Sequence, residues 1–297
     1  MKKYTIFYLA VLVSSLSCKQ PTNTSQAEEW TPLFNKKDLT GWDIKIAGHN
    51  LNDNFNNTFQ IRDSALVVDY NGYQKFDKEF GHIYYHEPFS YYRVRLEYRF
   101  VGAQLVGGPD YAKLNSGIML HSQAASSLEK EQSFPVSLEM QFLANNENEK
   151  RHTGNLCTPG TEVMMNNSLV QNHCVDSNSK NYEADRWIIA EAVVLGDSLI
   201  HHIIEGDTVL TYQQPRVGGG FVGQSMNWAI GGFSDSLRWI QKQSMLLSEG
   251  YIALQAESHP IEFRKIELLN LKGCTDTKAL NYKSYFVASD NSKCRYR

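Results

Sequence analysis

The chain reads as an all-β sandwich, on three observations. Short runs rich in β-branched and aromatic residues alternate apolar and polar with period two. Clusters of Gly, Asn, Asp and Ser separate them, and helical periodicity is scarce. The length, 297 residues with 42% hydrophobic and 12% aromatic content, suffices for one large core.

Taken in order, the first segment reads as an export signal. Lys2 and Lys3 precede a mostly apolar run over 4–16, and Ser14, Ser15 and Ser17 lead into Cys18. The run is shorter than a membrane span of about 20 residues. A cysteine closing such a segment resembles a bacterial lipoprotein signal. Residues 1–18 are therefore expected to export the protein, and lipid on Cys18 would anchor it in the periplasm or at the outer membrane. The polar stretch 19–29 reads as a flexible tether, and the anchor is the only membrane contact expected.

The body, 30–271, carries candidate strands over 58–61, 65–69, 81–85, 91–100, 116–121, 137–143, 186–195, 199–205, 208–212, 250–257 and 261–270. Turns at Gly196-Asp197 and Gly206-Asp207 read as hairpins. Between the strands run long segments, 101–115, 122–135, 145–181 and 213–248, the last with one short helix within 234–247. Loops this long commonly serve function.

Without Cys18, four cysteines remain, an even count that suggests disulfides in an exported chain. Local pairs, Cys157 with Cys174 and Cys274 with Cys294, are favoured over zinc, whose ligand spacings are missing. The second pair would staple a small tail, 273–297, in which Asp276, Asn281, Asp290 and Asn291 could hold calcium or simply shape turns.

The strand Ser137–Leu143 carries the chemistry. Leu138, Met140 and Phe142 share one face, while Ser137, Glu139 and Gln141 share the other. The same alternation sends Asn115, His121, Glu191, Gln255 and Glu257 outward on other strands. That set holds acids, amides and a histidine but no lysine, so it needs a ligand, a metal or an arginine such as Arg264. His152 and His173 sit with Arg151 on the loop that Cys157 and Cys174 would close, which could cap the site. Of the adjacent His201 and His202, only one can face a given side. The net charge is −3 with scattered cations, which argues against nucleic acid. No Gly-rich phosphate loop and no Gly-x-Ser-x-Gly is present.

Several segments together carry a resemblance. They are the run from Leu33-Phe34-Asn35 to Gly41-Trp42, Asn115-Ser116-Gly117-Ile118, Glu139-x-Gln141, Thr153-Gly154-Asn155-Leu156, Gly250-Tyr251-Ile252-Ala253-Leu254-Gln255 and Ile261-Glu262-Phe263-Arg264-Lys265-Ile266. Over 30–271 the chain resembles the 3-keto-disaccharide hydrolase family, also described as 3-keto-glucoside 1,2-lyase/2-hydroxy-glucal hydratase. The resemblance implies a concanavalin-A-like jelly roll whose concave sheet binds oligosaccharides or glycosides oxidised at C3. Such a reaction needs a base near C2 and an acid for the leaving oxygen: Glu139 is the first choice for base, His121 is expected as acid or enolate partner, and Asn115, Gln141 and Gln255 as hydroxyl-binding groups. Glu191 and Glu257 become alternative bases or ligands of a divalent metal. Many members carry Arg at the position of His121 and Asp at that of Ala144. Two rival readings are a carbohydrate-binding lipoprotein, using Trp228, Trp239, Tyr111 and Phe221 as sugar platforms, and an ordinary two-carboxylate glycosidase.

Overall fold

The computed structural model describes Met1, 27–219 and 227–297. The export signal, Cys18, most of the tether and Phe221 lie outside the described residues. No helix among the described residues is long and apolar enough to cross a membrane.

The strands are, in chain order, β1 (Thr31–Pro32), β2 (Trp42–Ile46), β3 (Phe59–Arg62), β4 (Ala65–Val68), β5 (Gly81–Tyr85) and β6 (Tyr91–Phe100). Then come β7 (Asn115–Ser122), β8 (Leu138–Leu143), β9 (Asn155–Cys157), β10 (Thr161–Met165), β11 (Ser168–Leu169) and β12 (Cys174–Val175). The last are β13 (Ile188–Leu195), β14 (Leu199–Ile204), β15 (Asp207–Val217), β16 (Tyr251–Ala256), β17 (Ile261–Asn270), β18 (Lys272–Gly273) and β19 (Ala288–Ser289). One short helix, α1 (Ser236–Ile240), falls inside the segment expected to hold one.

Two antiparallel sheets form a β-sandwich. One, of 10 strands, runs β11-β10-β15-β14-β13-β6-β17-β4-β3 with β1 added beside β17. The other, of 7 strands, runs β12-β9-β8-β7-β16-β5-β2. The core lies between them. Tyr98 on β6 stacks on Phe142 of β8 with ring centroids 4.2 Å apart, and its hydroxyl bonds the Thr153 hydroxyl beyond the second sheet's strand β8. Leu138, Met140 and Phe142 are fully buried, so the alternation expected of this strand holds.

The segment 145–181, expected to lack strands, contains the short β9, β10, β11 and β12. Strands of two to five residues leave little readable period, and tertiary pairing sets them. The free side of β2 is taken up by Asn52. Its backbone N–H donates to the Ile44 carbonyl, and its side-chain oxygen accepts from the Ile44 N–H at 2.8 Å.

Both expected disulfides are present, Cys157–Cys174 and Cys274–Cys294. Chains of this separation lose about 3 kcal/mol of unfolded-state entropy per bridge in the loop-closure model. The tail rests on the end of β17. Val287 N–H bonds the Leu271 carbonyl, β18 pairs with β19, and Lys283 pairs with Glu29. The Phe286 ring sits where a Cβ on Gly273 would lie, 2.4 Å away, so this close packing needs glycine. The candidate calcium oxygens hold turns: Asp276 accepts from Lys278 N–H and the Tyr296 hydroxyl. Asn281 accepts from Arg295 N–H, Asp290 from the Ser292 hydroxyl and Asn291 from Thr275 N–H.

Phe142 is the side chain most exposed to test, since it fills the space between the sheets. Phe142→Ala should cost about 3–5 kcal/mol in unfolding free energy by urea titration, with the unfolding slope unchanged.

Candidate active site

The outward face of the 7-stranded sheet carries rows of side chains set by strand register. Lys45 faces His82, which faces Gln255. Gly117 faces Gln141, which faces Asn155. One row over, Met119 faces Glu139, which faces Cys157, which faces Cys174. A cleft of about 680 Å³ lies over this face. Asn115, Glu139, Gln141 and Glu257 form its polar floor, Phe80, Tyr111 and Phe134 its aromatic flank, and Arg151, His173 and the Cys157–Cys174 disulfide its far side.

Glu139 and Glu257 meet here, although they sit more than a hundred residues apart in sequence. Glu139 lies on β8, and Glu257 directly follows β16. Gly117, between them on β7, must lack a side chain, because a Cβ there would come within 2.7 Å of Glu139 Oε1. Both carboxyls are buried, and among the described residues neither takes part in an ion pair. Burial pushes Glu139 up to about 8. Burial and then the Glu139 charge push Glu257 well above the usual carboxylate range. At neutral pH the pair therefore retains protons that solvated carboxyls would lose.

The amides around them are half-satisfied. Asn115 donates its Nδ2 to the Tyr111 carbonyl, while its buried Oδ1 has no partner among the described residues. Gln141 accepts from Asn155 at 3.2 Å. Both amide atoms of Gln255 are buried without a partner among the described residues. Orphaned polar groups of this kind await water or a ligand. Arg151 donates to the Ala144, Lys113 and Leu114 carbonyls, which holds its guanidinium at the rim.

Three expected site residues lie elsewhere. His121 sits in β7 but has φ of +47°, opposite an irregularity in β16. The left-handed step breaks the alternation, and Gly250 packs against it, where a Cβ would come within 2.4 Å of His121 carbon. The ring turns between the sheets, donates Nε2–H to the Gly196 carbonyl at 3.0 Å and meets Tyr92 edge-on. Burial lowers His121 to about 4, so it is neutral. Glu191 and Arg264 belong to the other sheet. Glu191 pairs with Arg93 at 2.7 Å, and Arg264 pairs with Glu97 and covers the Trp187 ring at 3.9 Å. Alternation separates inward from outward but does not say which sheet a strand joins.

Other candidates resolve as follows. His202 is a core residue between the Gly154 carbonyl and the Tyr212 hydroxyl. Trp228 and Trp239 stack on each other inside a small buried cluster, so they offer no sugar platform, whereas Tyr111 is 59% exposed at the cleft. Of the expected cap, His173 and Arg151 reach the cleft, while His152 bonds the Ser179 carbonyl. The only group of three His, Cys, Asp or Glu ligands within reach of one ion, among the described residues, is Cys157–His173–Cys174. Its two sulfurs are bonded to each other, so this group offers no thiolate to a metal. Phe80, Phe134 and Glu149 are cleft residues that sequence reading did not assign to the site. The aromatic pair lies just outside predicted strands, with no period to mark it.

A family model for the 3-keto-alpha-glucoside-1,2-lyase-like domain matches residues 29–269. Among curated proteins none matches. Among solved structures, two Parabacteroides distasonis proteins provisionally named glycosyl hydrolases are similar. They show 17% and 14% identity, TM-scores of 0.47 and 0.48, and coverage of 81% and 82% of this chain and 93% and 99% of theirs. A Bacillus subtilis protein with a galectin-like fold is 12% identical with TM-score 0.48, covering 82% of this chain and 94% of its own.

The buried carboxyls couple the site to stability. Glu139 has an ordinary value of 4.5 and is raised in the fold, so the native state binds the extra proton and gains stability below about pH 4.5. That gain disappears as pH rises through the folded value near 8. The wild-type melting temperature should therefore fall between about pH 5 and 8, while that of Glu139→Gln stays flatter, measured by calorimetry across that range.

Proposed function

We propose that this chain, which belongs to the 3-keto-alpha-glucoside-1,2-lyase-like family, cleaves glycosides oxidised at C3. The observation that carries the reading is the buried, unpaired Glu139–Glu257 couple on the floor of a sugar-sized cleft. A ketone at C3 acidifies the C2 proton. Glu139, the more readily ionised of the two, takes that proton. The C1–O bond breaks, and the protonated Glu257 donates to the leaving oxygen. Arg151 lies at the cleft rim as the cation that favours the enolate at C3. Water then adds at C1 and gives its proton to Glu257, while Glu139 returns its proton to C2. The net result is hydrolysis, and both carboxyls are reset. Glu257 thus takes the acid role first expected of His121. Asn115 and Gln141, which line the cleft, bind sugar hydroxyls.

The same pair has a bearing on the glycosidase reading. A retaining glycosidase needs one carboxylate that stays ionised as nucleophile. Both carboxyls here are pushed up by burial, which suits proton transfer better than nucleophilic attack. A binding module would have no use for two unpaired buried acids, each of which destabilises the fold. The disulfides agree with an oxidising compartment such as the periplasm.

Turnover of 3-keto-trehalose with no turnover of trehalose, with and without chelator, is the expected outcome. Cleavage of trehalose itself would overturn the 3-keto reading. Glu139→Gln should lower kcat by a factor of about 10² to 10⁴, about 3–5 kcal/mol of transition-state stabilisation. The ionised base is the active form, so wild-type kcat/KM should rise with pH until Glu139 is deprotonated near 8 and fall once Glu257 loses its proton. Stopped assays across pH 5 to 10, on the order of one unit apart, would read the two limbs.

A further inference from the structure

Strand order gives the cleft two sides. In the 7-stranded sheet β8 neighbours β7, then come β16 and β5. Glu139 sits on β8, and Glu257 directly follows β16. Gly81 opens β5 and pairs with Ala256, the last residue of β16. Across the floor the order is therefore Glu139, Glu257, Phe80. Phe134 packs on Phe80 with ring centroids 4.8 Å apart and reaches His82 of β5 at 6.3 Å. Both phenyl rings line the cleft, and both lie on the β5 side, beyond Glu257.

A loop brings another ring to Glu257. Gln104 donates from Nε2 to the Ser258 hydroxyl at 3.0 Å and to the Pro109 carbonyl at 2.9 Å. The Leu105 N–H donates to the Ser258 carbonyl. Gly108 lies so close that a Cβ there would come within 2.4 Å of Ser258 Oγ. The loop is thus fastened to the residue after Glu257, and a single helical turn, Asp110–Ala112, follows. At its far end the Asn115 side chain donates to the Tyr111 carbonyl at 3.0 Å. Hydrogen bonds on both sides place Tyr111, yet its ring stays 59% exposed while lining the cleft. Burial, then the Glu257 charge, push the phenol up to about 12. That agrees with a neutral ring held near this carboxyl.

The face of an aromatic ring buries the C–H face of a sugar ring, and a methyl group has too little area to use it. Resting on the glycoside reading above, in which Glu257 protonates the leaving oxygen, we propose that Tyr111 is the specificity-determining residue for the leaving group. The leaving sugar ring lies against Tyr111 on the Glu257 side, and the keto sugar lies over Glu139.

The test uses the full chain with Tyr111→Ala and Tyr111→Phe, and two substrates, 3-keto-trehalose and methyl 3-keto-glucoside. kcat/KM is measured by turnover. Each variant is compared with wild type on the same substrate, so the different acidities of the two leaving groups cancel. Tyr111→Ala should lower kcat/KM for 3-keto-trehalose about tenfold more than for the methyl glycoside. Tyr111→Phe keeps the ring and should hold the wild-type ratio between the substrates within about threefold. Should the alanine variant fail to fold, Tyr111→Leu, which has bulk but no ring face, gives the same reading. Equal losses on both substrates, or no loss on either, overturn the assignment. A shift in Tyr111→Phe as large as in Tyr111→Ala makes the hydroxyl the contact and overturns stacking. Wild-type turnover of neither substrate overturns the glycoside reading, and this inference with it.

Discussion

The site depends on how tightly one strand is held from behind. Leu138, Met140 and Phe142 fill the space between the sheets, with Phe142 stacked on Tyr98. Because side chains alternate, that packing decides where Glu139 and Gln141 point. A slip of one residue would put the carboxylate in the core and the phenyl ring in the cleft. The apolar face is therefore the positioning device for the polar one. Thr153 extends the hold: its hydroxyl bonds Tyr98 and the Leu143 N–H, and its own N–H donates to Ser179. The sandwich and the loop that walls the cleft are joined at that residue.

Packing also explains why buried acids are tolerated. Neither Glu139 nor Glu257 has a cation partner among the described residues, and each is desolvated by burial. A lone buried carboxylate is costly, and the usual response is to keep its proton. Two such groups lining one cleft differ in how readily they ionise, since the charge on Glu139 raises Glu257 further. That asymmetry suits the two to the proposed roles of base and acid, from the same residue type. The missing side chain at Gly117 gives Glu139 the space to lie across β7.

Much of this was legible in the residues, and the failures have physical causes. Glu139, Gln141, Asn115, Gln255 and Glu257 follow from period-two alternation, and the structure places them on one sheet. His121 failed because one residue at φ +47° reverses the alternation, and nothing in a single sequence marks a left-handed histidine. Glu191 and Arg264 failed for a different reason. They alternate as expected but on the other sheet, where Arg93 and Glu97 pair with them. Sheet membership comes from long-range pairing, which local patterns do not encode. The aromatic residues show a third limit. Trp228 and Trp239 looked like platforms because they lie in a long loop, yet that loop has a small core of its own. The cysteine pairing was readable from count and spacing, but its place beside Glu139 required the register of β9 and β12.

The borders of the 7-stranded sheet have a consequence for life at high concentration. An open strand edge is a template on which another chain can add, the first step towards aggregates. At one border Asn52 has already occupied the donor and acceptor of Ile44 that a visiting strand would need. At the other, β12 is too short to offer a ladder and is bolted to its neighbour by Cys157–Cys174. Among the described residues, both borders of the sheet that carries the polar face are thus guarded against an added strand.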